Sequence, residues 1–189
     1  MPRHGAAGAR AGHRWTAVSL LLLALCGVLA PRAAAAEASG AEALKAEVIY
    51  RALMFVTWPA EHEAGRRLQV CTAGDGRVEA ALQDLAGRSI RQLAIEVRRA
   101  VRLEQLGTCH LVFMPEPQPA WRAQLERLPV LVVADGAGML DHGAMLNLQI
   151  EDGRIVFDID LDAARRAGLA ISAKLLRLAR YVRHQSPAP

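Results

Sequence analysis

Short valine-rich runs alternate with segments of helical spacing through the middle of this chain, and that alternation restricts the fold more than any other feature. Residues 68–73, 111–114 and 130–134 are apolar runs of strand length, the pattern of strands buried on both faces. Between them, residues 77–85 carry Val78, Ala81, Leu82 and Leu85 at helical spacing, and residues 121–128 supply a second crossover. Strand and helix in alternation predict a parallel sheet with helices on its faces. Leu93, Ile95 and Val97 alternate with polar residues, which predicts a half-exposed strand near a sheet edge.

The pattern then changes. Residues 145–150 and 154–159 are two alternating runs separated by Glu151-Asp152-Gly153, and Asp-Gly supplies the positive φ angles that a tight hairpin turn requires. The expected fold is therefore α/β: a mixed, largely parallel sheet flanked by helices, with a C-terminal β-hairpin and terminal helices. The first helix is expected over residues 42–58, with Leu44, Val48, Ile49, Ala52, Leu53, Phe55 and Val56 on one face and Trp58-Pro59 closing it. The last helices are expected over 161–167 and 171–184. In the second, Ile171, Leu175, Leu178, Ala179 and Val182 form the apolar face, and Lys174, Arg177, Arg180 and Arg183 form a solvated basic one.

The N-terminus reads as a cleavable secretory signal over residues 1–36. Arg3, Arg10 and Arg14 precede an apolar run over residues 15–30, and an alanine string ends at Ala36. The run is shorter than a membrane span needs, and Leu25 stands where a lipoprotein signal wants a small residue before Cys26. Residues 37–184 then form one domain and 185–189 a short tail. Removing the signal takes four arginines and no acid from a chain of net charge +4, leaving 19 basic and 19 acidic side chains. A neutral domain offers no argument for nucleic-acid binding. Two cysteines remain, Cys71 and Cys109, an even count in an oxidising compartment. That count predicts a disulfide, with two buried free thiols as the alternative.

The chemical motifs are sparse. Asp158, Asp160 and Asp162 resemble the start of a calcium loop, but Ala163 and Leu169 stand where such a loop needs glycine and glutamate. Asp158 is instead expected near a strand end, with Asp160 or Asp162 capping the next helix. His62, His110, His142 and His184 lack metal-pair spacing, and Ser89, Ser172 and Ser186 lack a nucleophile turn. Gly74-Asp75-Gly76 resembles a phosphate-cradling loop without its remaining residues, and is expected to be a strand-to-helix turn. No catalytic residue, metal or cofactor is expected. Tyr50, Met54 and Trp58 at i, i+4, i+8 form a second apolar stripe, read either as core packing or as a partner or dimer surface.

In order and spacing, these residues resemble the YfiR-like periplasmic proteins, also called the HmsC family. Leu44-Lys45-Ala46 with Tyr50, Phe55, Val56 and Trp58-Pro59 looks like the family's opening helix. Cys109-His110-Leu111-Val112-Phe113 is similar to its central strand, and Gly143-Ala144-Met145-Leu146-Asn147 to its glycine-methionine-asparagine turn. The similarity is densest over residues 153–159, at Ala163-Ala164-Arg165 and Gly168-Leu169, and over residues 171–179. Ala52 and Met139 stand where the family often has phenylalanine, Ala144 replaces a glycine, and the second cysteine pair of some relatives is missing.

The resemblance implies a regulator, not an enzyme: a periplasmic repressor that binds the periplasmic sensor domain of a membrane diguanylate cyclase and lowers cyclic di-GMP. It further implies sequestration of the repressor by an OmpA-like outer-membrane lipoprotein, and control of biofilm formation. A homodimer is expected. A periplasmic small-ligand sensor is the second reading, and an enzyme without a recognisable motif the third.

Overall fold

The computed structural model describes residues 30–99 and 102–184, with side chains from Gly40 onward. The chain divides into two units, Met1–Gly40 and Ala41–Pro189. The first is described only as helical backbone from Ala30: residues 1–29 of the expected signal lie outside the described residues, as does the tail after His184, and the expected cleavage point near Ala36 falls within that backbone. All that follows concerns the second.

Helix α1, Ala30–Leu53, buries Ala46, Ile49, Ala52 and Leu53, a spacing that puts them on one face. Leu44, expected on that face, is 52% exposed, and Lys45 is buried in its place at 6% exposure. The helix ends five residues earlier than expected. The amides of Met54 and Phe55 turn back to the carbonyls of Arg51 and Ala52, and Val56–Thr57 becomes strand β1, paired antiparallel with β9, Ala170–Ile171. β-branched Val56 and Thr57 ahead of Trp58-Pro59 favour that extended path.

The main sheet has eight strands in the order β10, β8, β7, β6, β5, β2, β4, β3. Strands β2 (Arg67–Thr72), β4 (Leu93–Arg99), β5 (Leu111–Met114) and β6 (Leu131–Asp135) run parallel, and β7 (Leu146–Glu151) joins β6 in parallel. Helices α3 (Arg77–Gln83) and α4 (Pro119–Leu125) are the crossovers. The sheet is mixed because β8 (Arg154–Asp160) folds back on β7 and because β3 (Ser89–Ile90) is antiparallel to β4. Only two-residue β3 lies outside β4, so the half-exposed alternation of Leu93, Ile95 and Val97 marks a strand one from the edge. At the hairpin, Asp152 and Gly153 have φ of +49° and +72°, the paired positive angles of a two-residue turn closed by Glu151 and Arg154.

The chain's end departs from expectation. α5 (Leu161–Arg166) follows β8, capped by the Asp160 carboxylate, which accepts the Ala163 amide at 2.8 Å. No helix spans 171–184. Ile171 pairs with Val56, Ser172 caps the single turn α6 (Ala173–Leu176), and Tyr181–Arg183 form strand β10 beside β8. The helical periodicity of this segment loses to tertiary pairing, because the outer edge of β8 offers unpaired backbone groups that β10 satisfies. Two residues of the expected basic face are engaged as well. Arg180 binds both oxygens of Asp158 and reaches Glu151 at 3.3 Å, and Arg183 binds Asp141 at 2.6 Å and Asp160 at 3.4 Å.

Candidate functional site

The outward face of α1 carries Leu44, Glu47 and Arg51, at spacings of three and four that keep them on one side, and Met54 follows in the turn at its end. Glu47 is ion-paired at 2.8 Å to both Arg51 and Arg88, and these guanidinium groups hold its carboxyl below the usual carboxylate range. Arg88 also lies 3.6 Å over the Tyr50 ring, and the Tyr50 hydroxyl donates to the Ser89 carbonyl. The expected stripe of Tyr50, Met54 and Trp58 is therefore divided. Tyr50 anchors α1 to the β3 loop, Met54 is 42% exposed beyond the helix end, and Trp58 is buried at 3%.

Trp58 opens a short strap that continues through the single turn α2, Ala60–Glu63. Its indole N–H donates to the His110 carbonyl at 2.9 Å, and the two rings meet edge to face. His62 Nε2 donates to the Cys109 carbonyl at 2.9 Å, and His110 Nε2 donates to the His62 carbonyl at 2.9 Å. The strap is thus fastened directly to the residues that carry the disulfide. Cys71 on β2 and Cys109 at the approach to β5 are bonded, with Cα atoms 5.9 Å apart, and both are fully buried. Adjacent β2 and β5 bring them together: Cys71 lies opposite Val112, so its neighbour strand begins two residues beyond Cys109.

Gly74-Asp75-Gly76 forms the turn from β2 into α3, as expected. The space beside it is filled by the chain's own Glu79 carboxylate, only 4% exposed. A Cβ on Gly74 would stand 2.5 Å from one carboxylate oxygen, and one on Gly76 would stand 2.8 Å from the other. The glycines therefore make room for a carboxylate, which is why the loop resembles an anion cradle. Burial pushes the Glu79 carboxyl above its usual range, with Asp75 and Asp135 adding to the effect. The folded protein holds this proton more tightly than the unfolded chain, so the stability associated with it is present at low pH and is lost as pH rises through the folded value. Glu79→Gln, similar in shape but unable to ionise, should unfold at a higher temperature than the parent at pH 7.5 and at nearly the same temperature at pH 4; thermal melts at the two values check this.

A cavity of about 270 Å³ opens between α4 and α5. Its floor is a row across the sheet: the Met145 amide donates to the Val132 carbonyl, the Asp160 amide to the Met145 carbonyl, and Arg183 stands opposite Asp160. Met114 adds a second thioether, and Arg122 lies at the rim, ion-paired to Glu126. Among the described residues, no group of three or more His, Cys, Asp or Glu side chains is placed to hold a metal. No helix among them is long and apolar enough to cross a membrane.

Sequence reasoning missed three features here: the buried Lys45, the Glu79 plug and the joined histidines. Lys45 and Glu79 each interrupt an apolar helical face, a signal that a charge is buried there. His62 and His110 are 48 residues apart, and only the fold brings them together.

These features define a class: an α/β domain with a mixed, largely parallel sheet, one buried disulfide, and an outward-facing helix leading into a fastened strap. The chain belongs to the YfiR/HmsC-like family, whose model matches residues 42–180. That family is periplasmic and consists of regulators rather than enzymes. Among solved structures, the chain is similar to a conserved domain protein from Vibrio cholerae, with 12% identity and a TM-score of 0.43, over 75% of this chain and 60% of that one. It is also similar to an ABC domain in complex with L-Trp from Streptococcus pneumoniae, with 10% identity and a TM-score of 0.41, over 61% of this chain and 55% of that one. The chain thus spans little more than half the length of either, and likenesses of this size bear on no ligand or partner.

Proposed function

We propose that this protein is a periplasmic negative regulator that binds the periplasmic sensor domain of an inner-membrane diguanylate cyclase and lowers cyclic di-GMP output. Family membership over residues 42–180 is the observation that carries the reading. Such a repressor acts by population shift, binding the inactive sensor conformation more tightly than the active one. The outward face of α1, with the turn that follows it, is the contact surface we favour: Leu44 on the helix and Met54 in the turn are exposed apolar side chains on either side of the Glu47–Arg51 pair, and methionine is enriched in interfaces. Tyr50 and Trp58 support that face from behind. Assembly as a homodimer and capture by an OmpA-like outer-membrane lipoprotein belong to the same proposal.

Deleting the gene, in a strain that expresses a cyclase with a periplasmic sensor domain, should raise cyclic di-GMP and biofilm formation. An unchanged level refutes the repressor reading. Met54→Glu, at an exposed site, should leave the melting temperature within about 2 °C of the parent. It should weaken sensor-domain binding roughly tenfold or more, the scale of a residue central to an interface.

The cavity between α4 and α5 favours a second reading, a periplasmic sensor of a small polar ligand, since it is concave and sets the charged Asp160, Arg183 and Arg122 around Val132, Met145 and Met114. Native mass spectrometry of protein purified from the periplasm separates the two: a stoichiometric bound metabolite favours the sensor.

A further inference from the structure

His110 is held in one protonation state by what surrounds it. Its Nδ1 accepts the Gln69 backbone N–H at 3.0 Å, and its Nε2 faces the His62 carbonyl at 2.9 Å. An N–H can donate only to a bare nitrogen, and a carbonyl can accept only from an N–H. The neutral ring protonated at Nε2 is therefore the one form that makes both bonds. The His110 amide meanwhile donates to the Gln69 carbonyl at 2.8 Å, so main chain and ring together complete the pairing with β2 where the ladder to β5 begins. A second proton on the ring would turn N–H against N–H at Gln69 and leave that amide without its acceptor.

The charged groups around the ring are few. On the strap, His62 stands with its ring centroid 4.5 Å away, so a charge on either ring opposes a charge on the other. Glu63 on the same turn favours a cation but is engaged by Arg91 at 2.9 Å and by the Trp58 amide. From β2 and β4, Arg67 and Glu96 are paired with each other at 3.0 Å. Burial is the largest influence, followed by the charge of the His62 ring, and together they hold the His110 imidazole below the usual histidine range despite the opposing pull of its bond to the His62 carbonyl and of Glu63.

Three of the strap's bonds end on this one segment: Trp58 on the His110 carbonyl, His62 on the Cys109 carbonyl, and His110 on the His62 carbonyl. We propose that residues 58–63 form an acid-released latch, closed over the disulfide-bearing strands while His110 is neutral and opened when the ring takes a second proton. In the open form the ring titrates near 6.5, the ordinary histidine value. Below that pH the open form binds a proton that the closed form refuses. The open-to-closed ratio therefore rises by up to about tenfold per pH unit, until the folded protein's own lower value is reached. The envelope compartment has no cytoplasmic buffering, and the latch adjoins β1 and the end of α1, so acid would loosen the surface proposed to meet the cyclase. That last step rests on the function proposed above; the latch does not.

The test is hydrogen–deuterium exchange on the signal-free protein at pH 7.5, 6.0 and 5.0, with rates divided by the intrinsic amide rates, together with a nitrogen-detected NMR titration of the histidine rings. The expected result is loss of protection in residues 56–64 on acidification. His110→Asn, whose amide oxygen can accept the Gln69 N–H without titrating, should not show it. NMR should find the Nε2–H tautomer and a titration below 6.5. Unchanged protection in the parent, the same acid response in His110→Asn, or a ring titrating at or above 6.5 overturns the proposal. NMR on the parent decides the matter even if the variant does not fold. Sensor-domain binding at pH 7.5 and 5.5 is a separate readout: acid-released exchange without weaker binding keeps the latch and removes its link to the cyclase.

Discussion

Cys71→Ser should unfold roughly 10 °C below the parent under oxidising conditions. The Cys71–Cys109 bond closes a loop with a sequence separation of 38, for which the chain-entropy model gives about 3 to 4 kcal/mol. At this chain length each kcal/mol moves the melting midpoint by about 2 to 4 °C. Both sulfurs are fully buried, so the variant also places a serine hydroxyl and a free thiol in an apolar site, and the loss should not fall below the entropic value. The matching control is the parent in strong reductant, whose midpoint should move to that of the variant. Calorimetry on both proteins with and without reductant checks the prediction; equal oxidised midpoints would contradict it. Because the disulfide joins β2 to the approach of β5, where the strap is fastened, its removal should also loosen residues 58–63 ahead of the hairpin at 151–154.

The second large effect is expected at Lys45. Its ammonium lies 2.6 Å from Asp135 and 3.5 Å from Glu42, with a side chain that is almost wholly buried. Removing one partner of such a pair leaves the other charge in a poorly solvated site, a loss of about 3 to 5 kcal/mol for full burial. Asp135 keeps a fifth of its side-chain exposure, which places Lys45→Met at the lower end, about 3 kcal/mol or roughly 6 to 12 °C. Lys45→Met combined with Asp135→Leu should recover much of that loss, since replacing both partners removes the stranded charge. If the double variant melted no higher than the single one, the pair would not be the cause. The interaction ties α1 to the end of β6, 90 residues later in the chain, so its loss should also loosen the helix that leads into Met54.

The core strands were legible because each is a short apolar run buried in the sheet, so the signal lies within its own residues. β5, over Leu111–Met114, falls where the run places it, and β2 and β6 shift by one residue. The hairpin was legible for a different reason: Asp152-Gly153 supplies its backbone angles locally. The cysteine count likewise predicted the single disulfide that the fold closes. The segment from residue 171 to 184 was not legible. Its spacing suits an amphipathic helix, yet the partners of Tyr181–Arg183 lie on β8, and nothing within the segment announces that an open strand edge will be waiting. The stripe of Tyr50, Met54 and Trp58 failed in the same way, since whether the helix continues past Leu53 depends on Val56 finding Ile171.

Local sequence thus determined the elements whose energetics are local: strand runs, turn chemistry, an aspartate cap at 160 or 162 and the α/β class. Tertiary structure alone decided how charges and ends are spent. Lys45, to which the sequence assigned no structural role, became part of a buried ion pair. Arg180 and Arg183 of an expected solvated face became partners of Asp158 and Asp160, and two distant histidines became one fastening over the disulfide. The physical reason is common to all three. Burial of a polar or charged group is tolerated only with a partner, and such partners are supplied by the folded sheet from residues far away in the chain.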